Sequence, residues 1–463
     1  MMEIATAGAA AIKSMLQPTH PIHAKWHRIS APPLPRSSHT LSVVNGRAYI
    51  FGGEIKPREP VDNDMHVIIL PSGTVMEADY KTLPARPPHT AEGAEAAVPE
   101  KRVGHTAAVI GERIFVFGGR GGKDMKPLEE KGRVWVFDTK TDTWSFLDPL
   151  PGTGYPSARS YHASVGIEKP EPSSPVIPRV RPGTEEPIPG SVAENAKSEE
   201  EAGHGTLFIH AGCLASGRTN DLWGFDIRSR TWKEFPSAPG KPRGGTALTV
   251  SKSRIYRYGG FNGESEEGGQ VDFLELVLDT FADFSGEGQG GVALAPRKDS
   301  WDSLIYESDE NLADQGEEGG NRRVPGNRSV AGLHTITTGM GREYLVLLLG
   351  ERDPSSIGHD GAGKFWGDVW AFQVPPHGMT GASIKDATWQ VLGRETGEGL
   401  WSEFYVADAE GMEGEDVRAL TPGERGWFAS SAMGDLDVSG IILWGGLNGK
   451  NEREDNGWIL RIH

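Results

Sequence analysis

Residues 36–54 read RSSHTLSVVNGRAYIFGGE: two short apolar runs joined by Asn45-Gly46. Asn-Gly takes the positive φ values of a two-residue turn, and β-branched and aromatic residues flank it, so the stretch predicts a β-hairpin. The hairpin is framed by Arg36 in front and Gly52-Gly53 behind. The frame returns. Residues 102–119 read RVGHTAAVIGERIFVFGG and residues 243–260 read RGGTALTVSKSRIYRYGG, with the first glycine again 16 residues after the arginine. Looser copies start at Arg159 (RSYHASV, resuming as TLFIHAG), Arg328 (RSVAGLHTITT, reaching REYLVLLLGE) and Arg425 (RGWFASSAM, reaching GIILWGG).

Each copy continues with a polar loop and a strand, often led by Asp: DMHVIIL, RVWVFD, DLWGFD, DFLELVLD, DVWAFQV and GWILRIH. A fourth strand marked by tryptophan is expected at Trp144, Trp232, Trp301 and Trp389, with GTVMEA in its place in the first repeat. The sixth repeat ends at His463 without one, while AKWHRI (residues 24–29) is an unassigned Trp strand ahead of the first repeat. Pairing the two closes a ring of six four-stranded units. We therefore expect an all-β, six-bladed β-propeller over residues 24–463, preceded by a tail at 1–23. Radial closure protects strand edges, and the alternating strand faces make a core shared between blades.

Composition supports this. The chain of 463 residues holds 62 Gly, 32 Pro and 13 Trp, as a turn-rich β fold with many packed aromatics would. Its net charge of −17 argues against nucleic acid or an anionic membrane as partner. Cys213 is the only cysteine, so no disulfide forms within the chain, and a reducing compartment is expected. No secretory signal or apolar run of about 18 residues stands out, which predicts a cytoplasmic protein. For the same reason Asn327-Arg328-Ser329 is read as a chance glycosylation sequon.

The repeated glycine pairs and tryptophans resemble Kelch repeats from Trp26 to His463. Successive arginines are 66, 57, 84, 85 and 97 residues apart, against about 50 for a plain Kelch repeat. The excess lies mainly in residues 168–204, 280–298, 307–326, 353–366 and 397–421. Insertions of this kind are expected to decorate one face and offer a site for a protein partner.

The arginines are the candidate ligand-binding residues. Arg36, Arg102, Arg159, Arg243, Arg328 and Arg425 each stand before the first strand of a blade, the one that lines the channel. Equivalent positions predict a ring of guanidinium groups at one channel mouth, suited to an anionic small molecule or an acidic peptide. The bland alternative is that they bond to carbonyls and carboxylates of the blades. His39, His105 and His162, three residues after their arginines, are expected to pack and hydrogen-bond.

The stretch GGEIKPREPVDND at 52–64, with RSSH at 36–39 and RVGH at 102–105, resembles the plant nitrile-specifier and thiocyanate-forming proteins. That resemblance implies an Fe(II)-dependent lyase acting on a sulfated glucosinolate aglycone, with Arg36 and Arg102 on the sulfate. It also implies an iron loop, matched here by Glu351, Asp353 and His359 in GERDPSSIGH. The family spaces its Asp four residues after the Glu. Here Asp353 lies two residues on, and Ser355 holds the expected place. Two functions therefore stay open at the level of sequence: a non-catalytic binding module and an iron-assisted lyase. A copper radical oxidase is excluded, because Cys213 is alone and the chain lacks a signal.

Overall fold

A computed structural model of the chain describes residues 22–70, 78–89, 97–170, 204–281, 291–306, 324–358, 361, 363–376, 378–394, 396–406, 420–434, 437 and 439–462. The framed hairpin forms as expected. Thr40–Val44 pairs with Arg47–Phe51, and Asn45 and Gly46 take φ of 47° and 71°. Met65–Ile69 and Asp79–Leu83 complete blade 1. Its fourth strand thus follows the GTVMEA stretch, most of which lies outside the described residues.

Blade 2 is built from Thr106–Ile110, Arg113–Phe117, Val134–Asp138 and Thr143–Leu147, and blade 3 from Ala163–Ile167, Thr206–Cys213, Arg218–Asp226 and Thr231–Phe235. In blade 4, Ala247–Ser251 and Arg254–Tyr258 lead to Gln270–Phe281, a long strand that pairs with both Asp302–Ile305 and Gly291–Pro296. Blade 5 holds Gly332–Thr338, Arg342–Asp353, Lys364–Gln373 and Trp401–Glu403. Blade 6 holds Ala429–Ala432, Gly440–Trp444 and Gly457–Ile462, and His23–Ile29 is its outer strand, in antiparallel register from Ala24 opposite Ile462 to Ile29 opposite Gly457. The two ends of the chain therefore share one sheet, and the inner strands touch neighbour to neighbour around the whole circle.

The core is six clusters, each spanning two adjacent blades. The fourth-strand tryptophan reaches into the preceding blade: Trp144 lies 4.8 Å from Phe51 and Trp232 lies 5.1 Å from Phe117. In blade 5 this work is done by Trp401, buried 5.4 Å from Tyr258. The expected strand at Trp389 is instead a helix, α1 (Gly381–Val391), started by a capping box between Thr380 and Ser383. Helix formers and a strong cap outweigh the Trp signal there, and the chain reaches its fourth strand later.

The insertions do not leave from one face. Inner strands run away from the arginine face, so Ile167 and Thr206, the strand ends on either side of the 168–204 stretch, pair at the far side. Residues 353–366 join two strands at the arginine face.

Candidate functional site

The repeat motif is the joint between blades. The second residue of each glycine pair, or its equivalent, donates its backbone N–H to the carbonyl of the next blade's arginine. The bonds run from Gly53 to Arg102, Gly119 to Arg159, Gly212 to Arg243, Gly260 to Arg328, Gly350 to Arg425 and Gly446 to Arg36, at 2.8–3.0 Å. A second circle joins the residues two after each arginine: Gly104 to Ser38, Tyr161 to Gly104, Gly245 to Tyr161, Val330 to Gly245, Trp427 to Val330 and Ser38 to Trp427. Both belts close on themselves. They also explain the first glycine. A Cβ at Gly52 would lie 2.6 Å from the Arg102 carbonyl oxygen, and φ there is +64°.

The side chains of the six arginines turn into their blades, which corrects the expectation that they point into the channel mouth. The first strands begin four residues later, and the guanidinium groups are at most 3% exposed. Each donates to the carbonyl at the end of its blade's second strand, from Arg36 to Gly52 at 2.8 Å through Arg425 to Gly445 at 3.0 Å. Each also meets an acid near the start of the third strand. Arg102 grips Glu130 at 2.9 and 2.8 Å, Arg159 grips Asp221 at 2.6 and 2.9 Å, and Arg328 grips Asp368 at 2.6 and 3.0 Å. Asp62, Glu267 and Glu454 stand 3.5, 3.7 and 3.8 Å from Arg36, Arg243 and Arg425. A planar five-donor fork satisfied on all sides can be buried, whereas a half-paired one cannot. Two of the three histidines act as expected, His105 and His162 bonding Thr40 and Thr106 of the preceding blades, while His39 is buried.

Other residues line the mouth. A cavity of about 450 Å³ opens there. Its wall comes largely from the residue after each glycine pair: Glu54, Arg120, Cys213, Phe261, Glu351 and Leu447, in blade order. Isolated bridges hold these six at equivalent heights, from Ser37 with Glu54 to Gly426 with Leu447. Tyr161 and Trp427, from opposed blades 3 and 6, meet edge to face 5.3 Å apart across the channel and line the cavity. Both sit in the left-handed region, at φ of 53° and 59°, as do Ser38 and Val330. Non-glycine residues held there cost about 1 kcal/mol or more each, and such strain gathers at working sites.

Two guanidinium groups in this cup differ from the repeat arginines. Arg120 bonds the Ser160 hydroxyl at 2.9 Å and lies over Tyr161, and Arg218 lies over Phe261. Among the described residues neither meets a carboxylate. A smaller polar cleft of about 170 Å³, lined by Glu54, Arg58, Arg120, Asp124, Met125 and Tyr161, adjoins the cup. Sequence reading overlooked Arg120 and Arg218. The signal for Arg120 was its place directly after Gly118-Gly119, equivalent to Glu54 after Gly52-Gly53.

Acids stand elsewhere in the mouth. Glu54 is paired with Arg453 at 3.1 Å. Burial above all pushes the Glu351 carboxyl up to about 7, with Asp353 adding to the shift and a bond to Trp427 opposing it. Burial and then the nearby Glu351 push Glu266 up to about 8. Burial also raises the Cys213 thiol, against the pull of Arg218 and Arg120.

The expected metal loop is only partly described. Glu351 lines the cup. Asp353 is more than half exposed and pairs with Arg352 at 3.1 Å and Lys364 at 3.8 Å. A register shift between the two breaks the strand alternation that would aim both the same way. His359 lies outside the described residues. Among the described residues no three His, Cys, Asp or Glu side chains converge on a metal position. No helix among these residues is long and apolar enough to cross a membrane.

Comparison with known proteins agrees with this architecture. The model of the KLHDC2/KLHL20/DRC7 Kelch-repeats domain matches residues 20–169. The N-(sulfonatooxy)prop-2-enimidothioate sulfolyase of Thlaspi arvense is 36% identical over 139 residues, 29% of this chain and 34% of that protein. Kelch domain-containing protein 3 of Homo sapiens is 26% identical over 256 residues, 53% of each chain. These matches thus span a third to a half of the relatives' own lengths. The solved structure of YjhT superposes with a TM-score of 0.52 at 13% identity, over 94% of this chain and 99% of that one, and speaks for the fold alone. The chain is a six-bladed β-propeller whose first third matches a Kelch-repeats domain, and over part of its length it is similar to the Thlaspi arvense sulfolyase.

Proposed function

We propose that the chain is a binding module whose channel mouth captures an anionic group through Arg120 and Arg218. The observation that carries this is the contrast in pairing: the six repeat arginines each meet an acid of their own blade, and these two do not. Two guanidinium groups without carboxylate partners, in a protein of net charge −17, make a local attractor for sulfate or carboxylate. The aromatic rings of Tyr161, Trp427 and Phe261 supply apolar surface for the body of the ligand.

Calorimetric titration at low salt with benzenesulfonate, and separately with a Glu-rich peptide, tests this reading and tells a small ligand from a protein segment. Replacing both residues (Arg120→Gln with Arg218→Gln) is expected to weaken capture at least about tenfold, and added salt to weaken it in the native chain. Unchanged affinity in the double variant would sink the proposal.

A further inference from the structure

The cup is polarised. The six residues after the glycine pairs occupy equivalent positions in successive blades, so blades three apart face each other. Arg120 of blade 2 therefore stands opposite Glu351 of blade 5. The other two opposed pairs carry no such dipole: Glu54 faces Phe261, and Cys213 faces Leu447. The charge of Glu54 is answered on its own side by Arg453. Arg218 reaches from blade 3 over Phe261, the residue bridged to Glu266, so it stands beside Glu266 and not opposite it.

Glu266 adds to the acidic one. Its Oε1 accepts from the hydroxyl of Ser329, the residue bridged to Glu351, at 3.1 Å. Glu266 is 6% exposed, and its Oε2 has no partner among the described residues. Two buried carboxyl groups stand close together here, neither in an ion pair among the described residues, and an ammonium or guanidinium group would supply the missing donor and countercharge.

From this opposition we infer that the cup selects a zwitterion, whose anionic end meets Arg120 and whose cationic end meets Glu351 and Glu266. The inference rests on the anion-capture reading and adds the second end of the ligand. A small molecule with a short apolar spacer fits a cup floored by Tyr161 and Trp427.

The test compares straight-chain ω-amino acids, from 4-aminobutanoate to 8-aminooctanoate, with the fatty acids of matching length. One amino acid of the series is expected to bind roughly tenfold tighter than its matched fatty acid. In Glu351→Gln, and in Glu266→Gln, that preference is expected to vanish while fatty-acid binding persists, which also shows that the variant is folded. If fatty acids bind the native chain as tightly as every ω-amino acid, or the preference survives both substitutions, the zwitterion inference falls and anion capture stands. If neither series binds and the Arg120→Gln and Arg218→Gln double variant changes nothing, both fall.

Discussion

Two sets of arginines sit within one turn of chain of each other and do opposite things. Arg328 is fully buried, donates to the Leu349 carbonyl and clasps both oxygens of Asp368. Arg120 lines a cavity, bonds one hydroxyl and lies over an aromatic ring. The first set has exchanged water for carbonyl and carboxylate partners of its own blade, and its charge is spent on holding that blade together. The second keeps donors available, and its charge is free to act on something else. Residue type and height in the propeller do not separate the two. What separates them is which guanidinium reaches the acid near the start of its blade's third strand: Arg102 and Arg159 hold Glu130 and Asp221, and Arg120 and Arg218 of the same blades do not.

The comparison breaks if the buried set is dispensable. Arg328→Ala removes the cation clasped to the buried Asp368 carboxylate, and should cost about 3–5 kcal/mol in urea unfolding; a loss below about 1 kcal/mol would contradict the latch. Trp401→Ala should cost about 3 kcal/mol through the cavity it opens beside Tyr258, whereas Trp389→Ala on helix α1 should cost less than about 1 kcal/mol. Equal losses would mean the blade 5 assignment is wrong. Arg120→Gln should leave stability within about 0.5 kcal/mol while impairing anion capture, the reverse of Arg328→Ala.

The smallest effect is one of pH. Glu351 and Glu266 titrate near 7 and 8, above the ordinary 4.5. The folded state therefore holds more protons than the unfolded one across that window, and their contribution is lost as pH rises through it. Glu351→Gln should flatten this decline in a plot of unfolding free energy against pH. The buried histidines have the opposite sign. His105 and His210 lie near 3 and His334 near 4, lowered chiefly by burial from 6.5, so their contribution is lost as pH falls below 6.5.

The fold was legible because its signals repeat. Arginine and hairpin recur six times and the glycine pair four times, and the leftover strand at Trp26 could be placed only by closing a ring. Where a signal occurs once in a long insertion it misled: DATWQVL has the tryptophan of a fourth strand, but Thr380 and Ser383 cap a helix there. The site was less legible for the same reason. The arginines drew attention because they repeat, and they repeat because every blade needs the same joint. The residues that give this mouth its chemistry do not repeat. Arg120, Cys213, Phe261 and Glu351 occupy one structural position with four different side chains, and only the pattern around them marks that position.

The two closed belts carry a consequence for comparing such chains. A hoop of six bonds, each donor answered by the next blade, fixes the diameter of the opening by counting blades. Loop length and sequence elsewhere leave that diameter alone. Variation at the mouth then falls largely on a short alphabet: the residue after each glycine pair or its equivalent and the residue two after each arginine. In this chain those letters read Glu, Arg, Cys, Phe, Glu, Leu and Ser, Gly, Tyr, Gly, Val, Trp. Any propeller with the same hoop offers twelve letters from which to begin reading its appetite, with loop residues such as Arg218 completing the wall.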